Sequence, residues 1–86
     1  MTDYEKTKLD VALKEFITRN FKKPQECLNL EQIRFYVREL CLKIEEYEAN
    51  FQYVPESAYA LLSQYNLVQN SYLYRDFNHT YSLTQS

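Results

Sequence analysis

The chain has 86 residues, no glycine, and ten basic against twelve acidic side chains, which give a formal net charge of −2. This length allows one domain, and the lack of glycine excludes the phosphate-binding loops and nucleophile elbows whose tight turns need that residue. The charge divides into +2 over residues 1–43 and −4 over residues 44–86, without the overall basic excess that is typical of a nucleic-acid-binding protein.

The first predicted helix covers residues 2–19. Thr2 and Glu5 have the spacing of a capping box at its start. One apolar stripe at helical period follows, formed by Leu9, Ala12, Leu13, Phe16 and Ile17. Pro24 cannot lie inside a continuous helix, so residues 21–28 are predicted to be a connection.

The second predicted helix covers residues 30–50, after Asn29 as its N-cap. Its main apolar stripe has the alternating three- and four-residue spacing of a coiled-coil seam. The stripe consists of Leu30, Ile33, Val37, Leu40, Ile44, Tyr47 and Phe51. The first helix is predicted to pack on this seam.

A second apolar row lies on the opposite side of the same helix. Phe35, Leu42 and Ala49 are seven residues apart, which places them about 170° from the centre of the seam. A helix that is apolar on two opposite sides is expected to have neighbours on both. We expect helix 3 and the C-terminal segment to cover part of this row, or to leave it for another molecule.

Acidic residues crowd the end of the second helix. Glu45, Glu46 and Glu48 lie where the helix dipole disfavours negative charge. Lys6 and Lys8 of a neighbouring first helix are expected to offset them. The alternative is an acidic contact face for a basic partner.

The C-terminal half is predicted to contain one or two further helices. Pro55 is predicted to open a third helix over residues 55–65. Asn20, Asn50 and Asn66 follow the three helices, and in a chain without glycine they are predicted to be the left-handed C-caps. A short fourth helix is predicted within residues 67–79, with a strand at residues 72–74 as the alternative. The sequence thus predicts an all-α bundle of three to four helices, as one domain over residues 1–79, with a flexible tail at residues 80–86.

Tyrosine is the strongest compositional signal. The chain has nine tyrosines and no tryptophan, and residues 57–86 contain five of the tyrosines but only two charged side chains. Surfaces that are rich in Tyr and poor in charge resemble interface cores, although the same rings could instead cover the first two helices. The predicted interface residues are Phe35, Leu42, Ala49, Tyr59, Tyr72 and Tyr74.

The sequence gives little indication of a catalytic site or a metal site. Cys27, Cys41 and His79 lack the paired short spacing of zinc ligands, so no metal and no cofactor is predicted. The segment from Arg75 to His79 resembles the catalytic motif of the HEPN ribonucleases, but it has three intervening residues where that motif has four to six. Arg would steady a scissile phosphate in such a site and His would move a proton. We expect a protein without catalytic residues.

The predicted function is a small protein–protein interaction or regulatory module, with self-association as a homodimer as one form of that role. The alternative is a nucleic-acid-associated regulator, and the HEPN-like ribonuclease interpretation is the third hypothesis. The basic residues for the alternative are Arg19, Lys22, Lys23, Arg34 and Arg38. Neither a signal sequence nor a membrane-spanning apolar run of about 18 residues is found, so a cytoplasmic location and no membrane contact are expected.

Overall fold

Residues 1–85 form three α-helices and their connections. The structure, a computed structural model, describes the backbone of residues 1–85 and the side chains of residues 1–75. Helix α1 covers Asp3–Asn20, α2 covers Leu30–Phe51 and α3 covers Glu56–Gln85, with one 3₁₀ turn at Pro24–Glu26 between α1 and α2. No strand occurs in residues 1–85. The predicted all-α class is confirmed.

The N-terminal caps of the first two helices are the predicted ones. The side chain of Thr2 accepts a hydrogen bond from the backbone N–H of Glu5 at 3.2 Å. The side chain of Asn29 accepts one from the backbone N–H of Gln32 at 2.9 Å. Each cap satisfies one of the backbone donors that a helix start leaves without an internal partner.

The predicted asparagine C-caps are wrong. Asn50 stays helical, and α2 ends at Gln52, whose φ of 52° and ψ of 32° are left-handed. Among residues 1–85 Gln52 is the one residue with positive φ. Asn20 is the last residue of α1 and its side chain donates to the carbonyl oxygen of Phe16 at 2.9 Å, while Asn66 lies inside α3.

Helix α3 is one continuous element, so the predicted break at Asn66 and the alternative strand at residues 72–74 are both wrong. Asn has only a modest helix penalty, and packing outweighs it here. Ala58 and Tyr65 are buried and Tyr72 is half-buried, so a stripe with seven-residue spacing runs through position 66. The backbone of residues 80–85 belongs to the same helix. The flexibility predicted for the tail stays a prediction, and Ser86 lies outside the described residues.

The seam of α2 is faced mainly by α3, which corrects the predicted packing of the first helix on that seam. Only residues 52–55 separate α2 from α3, so the two helices run antiparallel, and they form the most extensive helix–helix contact among the described residues. Helix α1 approaches α3 and contributes Leu13 to the core. The buried core consists of Leu13, Cys27, Ile33, Leu40, Tyr47, Ala58 and Tyr65.

The molecule is elongated. Its extents are 60 × 22 × 16 Å and its radius of gyration is 16.4 Å, whereas a compact chain of this length has a radius of about 12 Å. At 1.5 Å per residue, α3 is about 45 Å long and α2 about 33 Å, so the end of α3 projects past α2. The solvent-accessible surface is 6485 Å², against about 5,400 Å² for a compact protein of this mass.

Candidate interaction surface on helix α2

The apolar row opposite the seam of α2 is exposed in the single chain. Phe35 is 57% exposed and Leu42 is 53% exposed, and Ala49 is exposed too. Helix α3 lies on the seam side, so the predicted partial cover of this row by helix 3 is wrong for the described side chains. The described side chains of one chain therefore do not supply the second neighbour that we expected for α2.

Exposed charged side chains flank this row, and we define the row together with these charges as the outer face of α2. Arg34 and Arg38 are exposed in its N-terminal half, and Glu45 and Glu48 are exposed in its C-terminal half. Among the side chains of residues 1–75, none of these four forms an ion pair. Glu31, one turn before Phe35, is exposed as well, so the N-terminal half of the face carries charges of both signs, while Glu45 and Glu48 make the C-terminal half acidic.

Of the lysines near the acidic end, one pairs with the acidic cluster and two lie over aromatic rings. Glu46 pairs with Lys43 at 3.2 Å. Lys6 lies 5.4 Å from the ring centre of Tyr53, and Lys8 lies 5.2 Å from that of Tyr4. The expected offset of the acidic cluster by Lys6 and Lys8 is thus not found as ion pairs within residues 1–75.

The predicted interface tyrosines do not extend the outer face of α2. Tyr59 and Tyr74 are 50% and 67% exposed and belong to α3, on the side that faces away from the core. Tyr72 is half-buried, and its hydroxyl donates to the carbonyl oxygen of Cys27 at 3.0 Å. The six predicted interface residues therefore lie on two helices and do not form one surface.

Tyr65 has a structural role that the sequence did not reveal. Its side chain is completely buried, its hydroxyl donates to the carbonyl oxygen of Lys22, and its ring stacks on Tyr36 with ring centres 5.9 Å apart. Burial raises the pKa of Tyr65 above its ordinary value. Together, Tyr65 and Tyr72 hold the connection between α1 and α2 against α3. The seven-residue spacing of Ala58, Tyr65 and Tyr72 was the available signal.

The basic residues of the nucleic-acid hypothesis occur in two places. Lys22 and Lys23 border an open groove between the end of α1, the connection and α3, and Glu26 lines the same groove. Arg34 and Arg38 are on the outer face of α2 instead. Arg19 is exposed in the last turn of α1. Positive charge is thus spread over two regions, and acidic side chains accompany it in both.

We expect no salt-sensitive binding of nucleic acid. Fluorescence anisotropy with mixed-sequence DNA and RNA at about 50 and 200 mM salt tests this, because phosphate contacts weaken steeply over that range. Affinity that falls steeply with salt, and is lost in Lys22→Glu/Lys23→Glu, would contradict the expectation and support the alternative function.

The residues considered for chemistry are not brought together in the described part of the chain. Cys27 is buried, and burial raises the pKa of its thiol, which makes the reactive thiolate scarce. Residues 1–75 hold no group of three or more His, Cys, Asp or Glu side chains placed to bind a metal ion. Arg75 lies 4.7 Å from the ring centre of Tyr72. The side chain of His79 lies outside the described residues, so the ribonuclease interpretation stays a hypothesis.

No protein-family model, curated protein or solved structure matches this chain. Of the helices in the described residues, none has both the length and the hydropathy needed to cross a bilayer. A function for this chain can therefore be argued only from its own surface, on which Phe35 and Leu42 are exposed in one row of α2.

Proposed function

We propose that this protein is a non-catalytic protein–protein interaction or regulatory module that binds its partner through the outer face of α2. The supporting observation is the exposure of Phe35 and Leu42 in line with Ala49. An apolar row with a charged rim has the composition of a protein interface, in which large apolar side chains lie at the centre and charge lies at the edge.

These apolar side chains lie outside the buried core, although the ring of Phe35 packs edge-on against Tyr36 with ring centres 5.4 Å apart. Ile33, Leu40 and Tyr47 on the seam are buried and hold α2 against α3, whereas Phe35 and Leu42 face away from α3. Both side chains are only partly exposed, so covering the remainder of each would contribute about 1–2 kcal/mol to association. Exposed apolar side chains lower the solubility of the free protein, and a partner that covers them removes this effect. A cytoplasmic location and the lack of a catalytic site are parts of the same proposal.

Site-specific photo-cross-linking tests the proposal. A benzoylphenylalanine in place of Phe35 is expected, in the cells that produce the protein, to form one discrete cross-linked species that mass spectrometry identifies as protein. The same photoreactive residue in place of Tyr4 is the matched control, because Tyr4 is 70% exposed on α1. Position 35 should cross-link and position 4 should not.

Two outcomes would contradict the proposed function. One is that position 35 yields no cross-linked protein, and the other is that positions 35 and 4 yield the same pattern. In either case the outer face of α2 would be a solvent-exposed helix face without a binding role. The experiment detects a second copy of this chain and a different protein equally well.

A further inference from the structure

We propose that helix α1 is a strap over the α2–α3 hairpin, which undocks and unfolds as one unit while α2, α3 and the connection before α2 stay packed together. The inference goes beyond the proposed function and does not depend on it, because none of the contacts that carry it involves Phe35 or Leu42. It assigns to the fold an open state in which the core surface under α1 is uncovered.

Helix α1 contributes little to the buried core. Leu13 is its one buried residue, and Leu9 and Ile17 pack half-buried beside it. All the other buried side chains of the core belong to the connection, to α2 or to α3. The free energy of a local opening falls with the amount of buried apolar contact that it breaks. Helix α1 can therefore open at a lower cost than the α2–α3 hairpin.

Polar contacts do not compensate for this small burial. The side chains of α1 form hydrogen bonds only within the helix and its N-cap, and among the side chains of residues 1–75 no ion pair joins α1 to another helix. Two cation–ring contacts do cross from α1, since Lys43 lies 4.3 Å from the ring centre of Phe16 and Lys6 lies 5.4 Å from that of Tyr53. Such contacts are weak where water reaches the cation.

The connection after α1 is held to α3 by contacts of its own. The hydroxyl of Tyr65 donates to the carbonyl oxygen of Lys22, and the hydroxyl of Tyr72 donates to that of Cys27 at 3.0 Å. The chain leaves α1 at Phe21, which is extended with φ of −119° and ψ of 137°. Phe21 is therefore the hinge, between a helix with few buried contacts and a connection that two tyrosine hydroxyls hold in place.

An undocked α1 would not keep its helical structure. It has 18 residues, and isolated helices of about this length are marginal in water, because most helical stability in proteins comes from packing. Undocking and loss of the backbone hydrogen bonds are thus one event. In the open state the amides of α1 exchange with solvent together, while those of the α2–α3 hairpin stay protected.

Native-state hydrogen exchange of the full chain, measured for each amide by NMR at increasing urea below the unfolding transition, tests the strap. The amides around Leu13 are expected to share one protection factor, at least about tenfold below that of the slowest amides of α2. Their exchange should also depend less steeply on urea, because a partial opening exposes less surface than global unfolding.

Tyr65→Phe distinguishes a partial opening from a global one. The proposed open state keeps the hydrogen bond between Tyr65 and Lys22, so its removal destabilises the closed and open states equally relative to the unfolded chain. The slowest amides of α2 should lose about tenfold in protection, while those of α1 stay unchanged. Tyr59→Phe, which removes a hydroxyl from a half-exposed side chain on the same helix, is the matched control and should alter neither set.

Three results would overturn the inference. Equal protection and equal urea dependence in α1 and α2 would mean that the chain opens only as a whole. Protection that rises gradually along α1, without a shared value, would mean that the helix frays from its end and does not undock as a unit. An equal loss of protection in α1 and α2 of Tyr65→Phe would mean that the connection opens together with α1. The outer face of α2 is tested separately by photo-cross-linking, whichever result is found.

Discussion

A charge at position 40 is expected to unfold the chain, whereas the same charge at position 42 should leave it folded. Leu40 is 0% exposed and Leu42 is 53% exposed. Leu40→Asp removes a core side chain, which alone costs about 2–5 kcal/mol, and adds the further cost of a buried carboxylate without a partner. Domains of this size have a total stability of about 4–13 kcal/mol. Far-UV circular dichroism and urea unfolding measure the result.

Leu42→Asp is the matched control, because it makes the same change on the same helix two residues away. Two residues turn the helix by about 200°, so the carboxylate at position 42 faces water while that at position 40 faces α3. Equal losses of helicity in the two variants would mean that the outer face of α2 is buried. In that case the proposed function would lose its basis.

Local features of the fold were predictable from the sequence. The caps of α1 and α2 depend on Thr2 and Asn29 and on the few residues after each, so spacing was sufficient to find them. The predicted bounds of the second helix, residues 30–50, differ by one residue from Leu30–Phe51. The additional residue is Phe51. Its ring packs edge-on against Tyr47, one turn earlier in α2, with ring centres 5.4 Å apart.

Nonlocal features were not predictable in the same way. The neighbour of the α2 seam is α3 because two helices joined by four residues pack antiparallel, and the sequence pattern of α1 was equally suited to that place. The continuity of α3 through Asn66 depends on the burial of Tyr65, which the fold alone provides. The local preference of Asn for a helix end is small by comparison.

The candidate site was predictable in part. The row of Phe35, Leu42 and Ala49 follows from spacing, but its exposure depends on the side of α2 that α3 occupies. Tyr72 was predicted to be an interface residue because its segment is rich in tyrosine and poor in charge. In the fold its hydroxyl instead donates a hydrogen bond to the carbonyl oxygen of Cys27. Carbonyl groups in the connection between α1 and α2 accept hydrogen bonds from tyrosine hydroxyls of α3. Some of the tyrosines therefore stabilise the fold and are not available for an interface.

Tyr65→Ala is expected to cost about 3–5 kcal/mol, because it removes a completely buried aromatic side chain. Tyr59→Ala is the matched control, on the same helix but with 50% exposure, and should change the free energy of unfolding by about 0.5 kcal/mol or less. Tyr65→Phe keeps the ring and removes the hydrogen bond to Lys22, at a cost of about 1–3 kcal/mol. Urea unfolding at neutral pH gives all three values, and equal costs for Tyr65→Ala and Tyr59→Ala would show that the connection is not held by Tyr65.

Alkaline titration separates the hydroxyl of Tyr65 from its ring. Burial raises the pKa of Tyr65 in the folded protein, while the unfolded chain releases this proton near the ordinary tyrosine value of about 10. The folded state therefore holds the proton more tightly, so the stabilisation is complete below about pH 10 and is lost as the pH rises above it, by at most about 1.4 kcal/mol per pH unit. In Tyr65→Phe the fall with pH should be shallower, although Tyr47, whose pKa burial also raises, will keep part of it. Parallel curves for the two proteins between pH 9 and 11 would mean that the Tyr65 hydroxyl reaches water, and that the hydrogen bond to Lys22 does not hold the connection to α3.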